Sequence, residues 1–105
     1  MAMLLENCEG FEWNDGNSNK NWHLHRVTDG ECEEIFLNVP IIIIFDKRQR
    51  SSEPLYIALG RTDADRRLFA AFVVRNKLIR VISARDMTRS DERRYEEQAK
   101  RNTDF

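Results

Sequence analysis

The pattern of apolar and polar positions changes character at Pro40. Upstream of it, apolar residues come at helical spacing; downstream, they come in short unbroken or alternating runs. Phe11-Glu12-Trp13-Asn14 reads as a short extended piece that enters a turn at Asp15-Gly16. A first helix is predicted over Asn17–His25, although its asparagines are poor helix formers. The second helix is better marked. Thr28-Asp29-Gly30-Glu31 has the T-x-x-E form in which threonine and glutamate cap each other's backbone amides, and Val27 is placed to staple onto Cys32. Cys32, Ile35 and Phe36 then fall at i, i+3 and i+4 as a core-facing stripe, while Glu31, Glu33 and Glu34 read as a wet face.

Beyond Pro40, Ile41–Phe45 is a β-branched run that predicts a strand covered on both faces, and Asp46–Glu53 is a polar loop. Leu55–Gly60, Leu68–Val74 and Leu78–Ala84 predict three more strands, with a turn through Thr62–Arg66. Arg75-Asn76-Lys77 reads as a tight hairpin in which Asn76 takes the left-handed conformation. Such short connections favour an antiparallel meander of four strands. Ser90–Arg101 is helical by propensity, but its only apolar residues are Tyr95 and Ala99. So narrow a stripe predicts a loosely docked helix or one that meets a partner. The expected fold is α+β: two N-terminal helices, a four-stranded antiparallel sheet and a C-terminal helix, with the helices against one face of the sheet.

The 105 residues suffice for one domain that buries roughly two-thirds of its unfolded surface. Residues 1–10 are set apart as a flexible or atypical N-terminal extension. No apolar run approaches the ~20 residues of a membrane span, so no membrane association is expected. Met1–Leu5 lacks the length and basic flank of a secretory signal, which predicts a cytoplasmic protein. There Cys8 and Cys32, far apart and without C-x-x-C spacing, are expected as reduced thiols.

The net charge is −1, but it is unevenly spread. Residues 1–60 hold five basic and ten acidic groups (5 − 10 = −5), whereas residues 61–94 hold ten basic and five acidic ones (10 − 5 = +5). A basic half-surface suits a phosphate-backbone ligand; a solvated face paired with the acidic half would leave the same record.

This layout carries specific words. Phe11-Glu12-Trp13, Asn21, His25, Val27-Thr28, Glu34 and Phe36 are followed by Ser52-Glu53, Leu59-Gly60-Arg61, Arg80-Val81-Ile82-Ser83-Ala84-Arg85, and then Arg89, Glu92 and Tyr95. In this order, from Phe11 to about Glu97, the chain resembles the BrnT-type ribonuclease toxins of bacterial toxin–antitoxin pairs. The resemblance implies a RelE-like fold and RNA cleavage without metal or other cofactor. It also implies a BrnA-like ribbon–helix–helix antitoxin that neutralises the toxin, with operator DNA bound only through their complex. The chain departs from the family pattern in four places. Leu24-His25-Arg26 stands where Lys-His-Gly is common, Asn17 where a lysine is common and Asn14 where an aspartate is. The turn Asp63-Ala64-Asp65-Arg66 lacks the usual glycine.

Metal-free RNA cleavage needs a group that takes the 2′-OH proton, groups that steady the charge on phosphate, and a donor to the leaving oxygen. Histidine suits proton transfer near neutrality, and the arginine fork suits phosphate. His25 is the first acid–base candidate, with Asn21 one helical turn back to fix its ring; it can equally be a structural histidine. His23 lies about 200° around a helix from His25, so the two do not form a metal-chelating pair there. Arg80 sits amid strand apolars, where an arginine either pairs with an acid or holds an anion. Strict alternation would put it on one face with Ile82 and Ala84, opposite Ile79, Val81 and Ser83.

Arg61, at a strand end, is the third catalytic candidate. Lys20 and Arg85 are candidates for RNA binding, Lys20 with a solvated alternative and Arg85 with a structural bridge to Glu92 or Glu96. Tyr95 can donate a proton or anchor the last helix, and with Ala99 it is a candidate for antitoxin contact. Trp13 and Trp22 can stack on bases or pack against core or antitoxin. No Gly-rich phosphate loop, Ser/His/Asp signature or paired carboxylates accompany them. A different class of function remains open: a non-catalytic protein of toxin fold that binds an antitoxin and modulates its DNA binding.

Overall fold

A computed structural model describes residues 5–47 and 52–103. Met1–Leu4 and the centre of the Asp46–Glu53 loop lie outside it. In chain order the elements are β1 (Gly10–Phe11), α1 (Lys20–His25), α2 (Asp29–Leu37), β2 (Ile42–Phe45), β3 (Tyr56–Arg61), β4 (Arg67–Arg75), β5 (Leu78–Asp86) and α3 (Arg89–Thr103).

The four predicted strands form as an antiparallel meander, but the sheet has five strands in the order β1-β5-β4-β3-β2. The addition is β1, which pairs in parallel with β5, so the sheet is mixed rather than wholly antiparallel. Two residues leave no alternation to read. The pairing shows in the backbone, where Glu9 donates to the Lys77 carbonyl and Glu12 to that of Ile79. Leu5 and Cys8 pack against the core, so the described part of the first ten residues is docked on the fold. Cys32 is a free, buried thiol, and burial pushes it up to about 12.

Local chemistry explains the element ends. In α2, the Thr28 hydroxyl accepts from the Glu31 amide while the Glu31 carboxylate accepts from the Thr28 amide, completing the predicted capping box. α1 starts three residues later than expected because Asn19 adopts a left-handed φ of 60° and Asn17 is drawn inward. At the β4–β5 hairpin both Asn76 and Lys77 have positive φ, the pair of left-handed residues that matches the twist of the flanking strands. In the Thr62–Arg66 turn, Asp65 takes φ 64° in place of a glycine, which aspartate tolerates better than most residues.

Val27, Cys32 and Ile35 join Ile43, Ala58, Leu68, Ala70, Phe72, Ile79, Val81 and Ala84 in one buried cluster. This is the inner face of the sheet. Phe36 bridges Phe11 and Phe72 edge-on, and α2 approaches β3 so closely that a Cβ on Gly60 would lie 3.0 Å from Ile35. Contrary to expectation, the helices do not share one face. α3 crosses the outer face, held by Tyr95, by Asp91 paired with Arg85 and by Glu96 paired with Arg67. Its polar composition hid this docking, since a single buried tyrosine does the work of a stripe. β2 is the sheet's edge, and Phe45 at its end is exposed rather than covered.

Candidate nucleic-acid interface

The outer face carries the arginines, and a single irregularity puts them there. Val73 pairs with Arg80, Phe72 with Val81, Ala71 with Ser83 and Phe69 with Arg85, so Ile82 is an extra residue in β5. The bulge reverses the alternation. Ile79, Val81 and Ala84 therefore face inward, while Arg80, Ser83 and Arg85 face outward, correcting the regular alternation that grouped Arg80 with Ala84. β4 contributes Arg67 and Arg75 to the same face, and β3 contributes Arg61, which pairs directly with Arg67. Five arginines thus share one side of the sheet. Glu31, Glu33 and Glu34 lie on α2, across the inner face.

Each guanidinium has a partner within the chain. Arg80 Nη1 lies 3.2 Å from Glu12 Oε1 and 3.3 Å from Asn17 Oδ1, and Nη2 donates to Asn14 Oδ1 at 3.2 Å. Its side chain is 13 % exposed, the least of the paired arginines, and Asn17 is itself buried with its amide on the Glu12 and Val81 carbonyls. A Cβ on Gly16 would come within 2.8 Å of Arg80 Nη2, so the glycine leaves room for the guanidinium. Arg75 forks onto Glu53 and holds that carboxyl below its ordinary range.

Arg85 lies over Phe69, its Cζ 4.0 Å from the ring centre, and bonds Asp91 at 2.9 Å rather than the expected Glu92 or Glu96. Burial raises Asp91, but the Thr88 amide and Arg85 outweigh it, leaving the carboxyl below the usual range. Arg61 donates from Nε to the Val39 carbonyl at 3.1 Å and stands 4.0 Å from Asp65.

His25 is not among the groups these arginines bond, although it lies near enough to Asp86 to help lower that carboxyl. The histidine is exposed at the end of α1, where its carbonyl accepts from Arg66. Asn21 does not hold its ring. The Asn21 side chain is buried and accepts from the Ala84 amide at 2.8 Å, bonding the helix to β5. Lys20 is exposed at the start of α1. Trp13 is tied down by a 2.7 Å bond to Glu33, whereas Trp22 is 43 % exposed beneath the Arg26 guanidinium.

Tyr95 is buried, its hydroxyl donating 2.7 Å to the Pro40 carbonyl, which makes it the anchor of α3. Desolvation pushes that phenol up. Beside it a shallow hollow of about 310 Å³ is lined by Pro40, Arg61, Asp65, Arg67, Tyr95, Glu96 and Ala99. Arg61, a catalytic candidate from sequence, therefore shares one hollow with Tyr95 and Ala99, the candidates for antitoxin contact. Arg67 begins β4 one residue ahead of the strand expected from Leu68, and alternation backward from Phe69 and Ala71 is the signal that places it on the outer face. Among the described residues, no three His, Cys, Asp or Glu side chains gather to hold a metal ion, and no helix is long and apolar enough to cross a membrane.

A family model described as ribonuclease toxin, BrnT, of type II toxin–antitoxin system matches residues 13–91. No curated protein matches the chain.

Proposed function

The chain belongs to the BrnT family of ribonuclease toxins of type II toxin–antitoxin systems, and we propose that it is a metal-independent endoribonuclease restrained by a BrnA-like ribbon–helix–helix antitoxin in the cytoplasm. One observation supports this reading above others: five arginines share the outer face of the sheet. Such a surface neutralises a phosphate backbone, and arginine forks can hold both free oxygens of a phosphodiester. In this proposal Arg61 and Arg80 steady the charge that develops on the scissile phosphate. Arg85 and Lys20 bind flanking phosphates, and His25 moves the proton. Tyr95 and Ala99, with the rest of α3, supply the surface that the antitoxin covers.

A second reading draws on a specific observation. Arg61, Arg80 and Arg85 are each satisfied by groups of the chain itself, and His25 is not one of those groups. A non-catalytic member that binds an antitoxin and modulates its DNA binding would have this arrangement.

Induced expression separates the two. Wild-type chain is expected to arrest growth and to cut RNA in vitro with chelator present, and Arg80→Ala or His25→Ala to relieve both at equal protein level. Arrest that neither change relieves would sink the residue assignment, and well-folded wild type without arrest or cleavage would leave the non-catalytic reading.

A further inference from the structure

We propose that Arg67 joins Arg61 and Arg85 in a phosphate-binding strip for single-stranded RNA, occupied in the free protein by the chain's own carboxylates, Asp65 and Glu96. The inference rests on the ribonuclease reading and adds to it a binding residue and an internal competitor.

Arg61 and Arg67 are direct cross-strand partners on the outer face. Like charges in that position repel unless an anion lies between them. Asp65 supplies one: its Oδ1 is 3.2 Å from Arg67 Nε and 4.0 Å from Arg61 Nη1. Glu96 supplies a second, with Oε1 3.3 Å from Arg67 Nη1. These contacts mark out a place where a two-oxygen anion fits between two forks, which is the chemistry of a phosphodiester.

The two sides of these pairs are not equally fixed. The Asp65 and Glu96 side chains are 59 % and 70 % exposed, against 28 % for Arg67. Arg67 is held over the ring of buried Tyr95 at 5.2 Å, so its guanidinium stays while the carboxylates can swing into water at small cost. The hollow beside them is open, about 310 Å³. The strip continues along the face through Phe69, two residues on in β4 and hence about 7 Å away, to Arg85 stacked upon it.

The test uses the full chain and a fluorescent single-stranded RNA with 2′-O-methyl groups, which cannot be cut because the attacking hydroxyl is blocked. Affinity is measured across a salt series. Arg67→Gln is expected to weaken binding and to make the slope of log affinity against log salt shallower by about 0.7, the loss of one phosphate contact on a single strand. Asp65→Asn is expected to tighten binding about two- to fivefold. Asparagine suits the left-handed backbone at this position, so this variant carries the test even if Arg67→Gln does not fold.

Unchanged affinity and slope in folded Arg67→Gln, or no tightening in Asp65→Asn, overturns the strip. So does equal binding of a poly-glutamate chain with the same dependence on Arg67, which would assign the surface to an acidic protein segment. Cleavage of unmodified RNA is scored separately. A wild type that binds through Arg67 but never cuts loses the ribonuclease reading and keeps the strip; one that cuts while ignoring Arg67 does the reverse.

Discussion

Arg80 and Arg85 lie on the same face of β5 although they are five positions apart, because Ile82 is inserted between the pairs Phe72–Val81 and Ala71–Ser83. In a regular strand an odd separation would send one of them into the core. The inserted residue lets Ala84 take the inner position, with both charges kept outside. The two arginines differ in fixation. Arg80 is gripped by three side chains of the segment between β1 and α1, whereas Arg85 rests on Phe69 and a single carboxylate of α3.

That grip makes the placement of Arg80 testable apart from its charge. Gly16→Ala would put a methyl group 2.8 Å from Arg80 Nη2 and push the guanidinium off Asn14 without removing it. If Arg80 acts on the scissile phosphate, this variant should lose about tenfold or more in RNA cleavage while unfolding within about 1 kcal/mol of wild type. Arg80→Ala should lose activity and also about 1–2 kcal/mol of stability, since Glu12, Asn14 and Asn17 lose their common donor. Urea unfolding beside a cleavage assay checks both, and full activity in Gly16→Ala would mean that the position of Arg80 is immaterial.

Asn21 distinguishes two ways in which α1 can matter. Its side chain carries the amide of Ala84 in β5 and is buried, while His25, one turn on, is exposed. Asn21→Ala would leave that buried amide without an acceptor, which costs about 1–3 kcal/mol. The expected result is a lower unfolding midpoint with the pH profile of any cleavage unchanged. A shifted profile at unchanged stability would instead return Asn21 to the task of orienting His25.

The elements that carry their own local signal were legible in the sequence: the Thr28–Glu31 cap, the β-branched strands, and the Asn76 hairpin. What could not be read depended on pairing between distant segments. β1 is two residues long and gains its identity only from β5. The bulge at Ile82 is a mismatch between two strands that each look regular alone. The same holds for the site. The basic half of the chain was visible as a count, and five of its ten basic groups come to lie on one face of the sheet. The partners that hold each arginine, Glu12 and Asn17 for Arg80 and Asp91 for Arg85, come from other elements. Asn17 looked like the first turn of a helix and is instead a buried clasp on Val81.

Arg66 predicts how stability responds to acid. Its Nε donates to Asp86 at 2.7 Å, its Nη1 reaches Glu31 and the Arg26 carbonyl, and its Nη2 reaches the His25 carbonyl, so it ties α1, α2 and β5 together. The guanidinium bond holds Asp86 below its ordinary value. Burial raises Glu31, but the Thr28 amide and Arg66 overcome it and leave that carboxyl lowered too. Lowered carboxyls bind fewer protons in the folded than in the unfolded chain. Their stabilisation is therefore complete above the unfolded carboxyl pKa, about 4, and is lost as pH falls through the folded values. Arg66→Gln should be less stable than wild type by about 1–2 kcal/mol at pH 7, discounted for the exposure of Asp86. The gap should narrow as pH falls below about 4. Urea unfolding at several pH values measures it, and a gap independent of pH would show that the bonds to the carbonyls, not the carboxylates, carry the contribution of Arg66.

Tyr95 determines what the last helix can do for a partner. It is buried beneath α3, and its hydroxyl bonds the Pro40 carbonyl just before β2. Tyr95→Phe removes that bond alone and should cost about 0.5–1.5 kcal/mol. Truncation after Arg94 removes the ring as well, together with Glu96 from Arg67 and Ala99 from the hollow. If α3 forms part of the antitoxin's contact surface, truncation should weaken antitoxin binding well beyond Tyr95→Phe, with the sheet still folded by circular dichroism. Titration calorimetry with the purified antitoxin reads the difference. Equal affinity for wild type and the truncated chain would place the antitoxin elsewhere on the molecule and leave α3 as a cover for the arginine face.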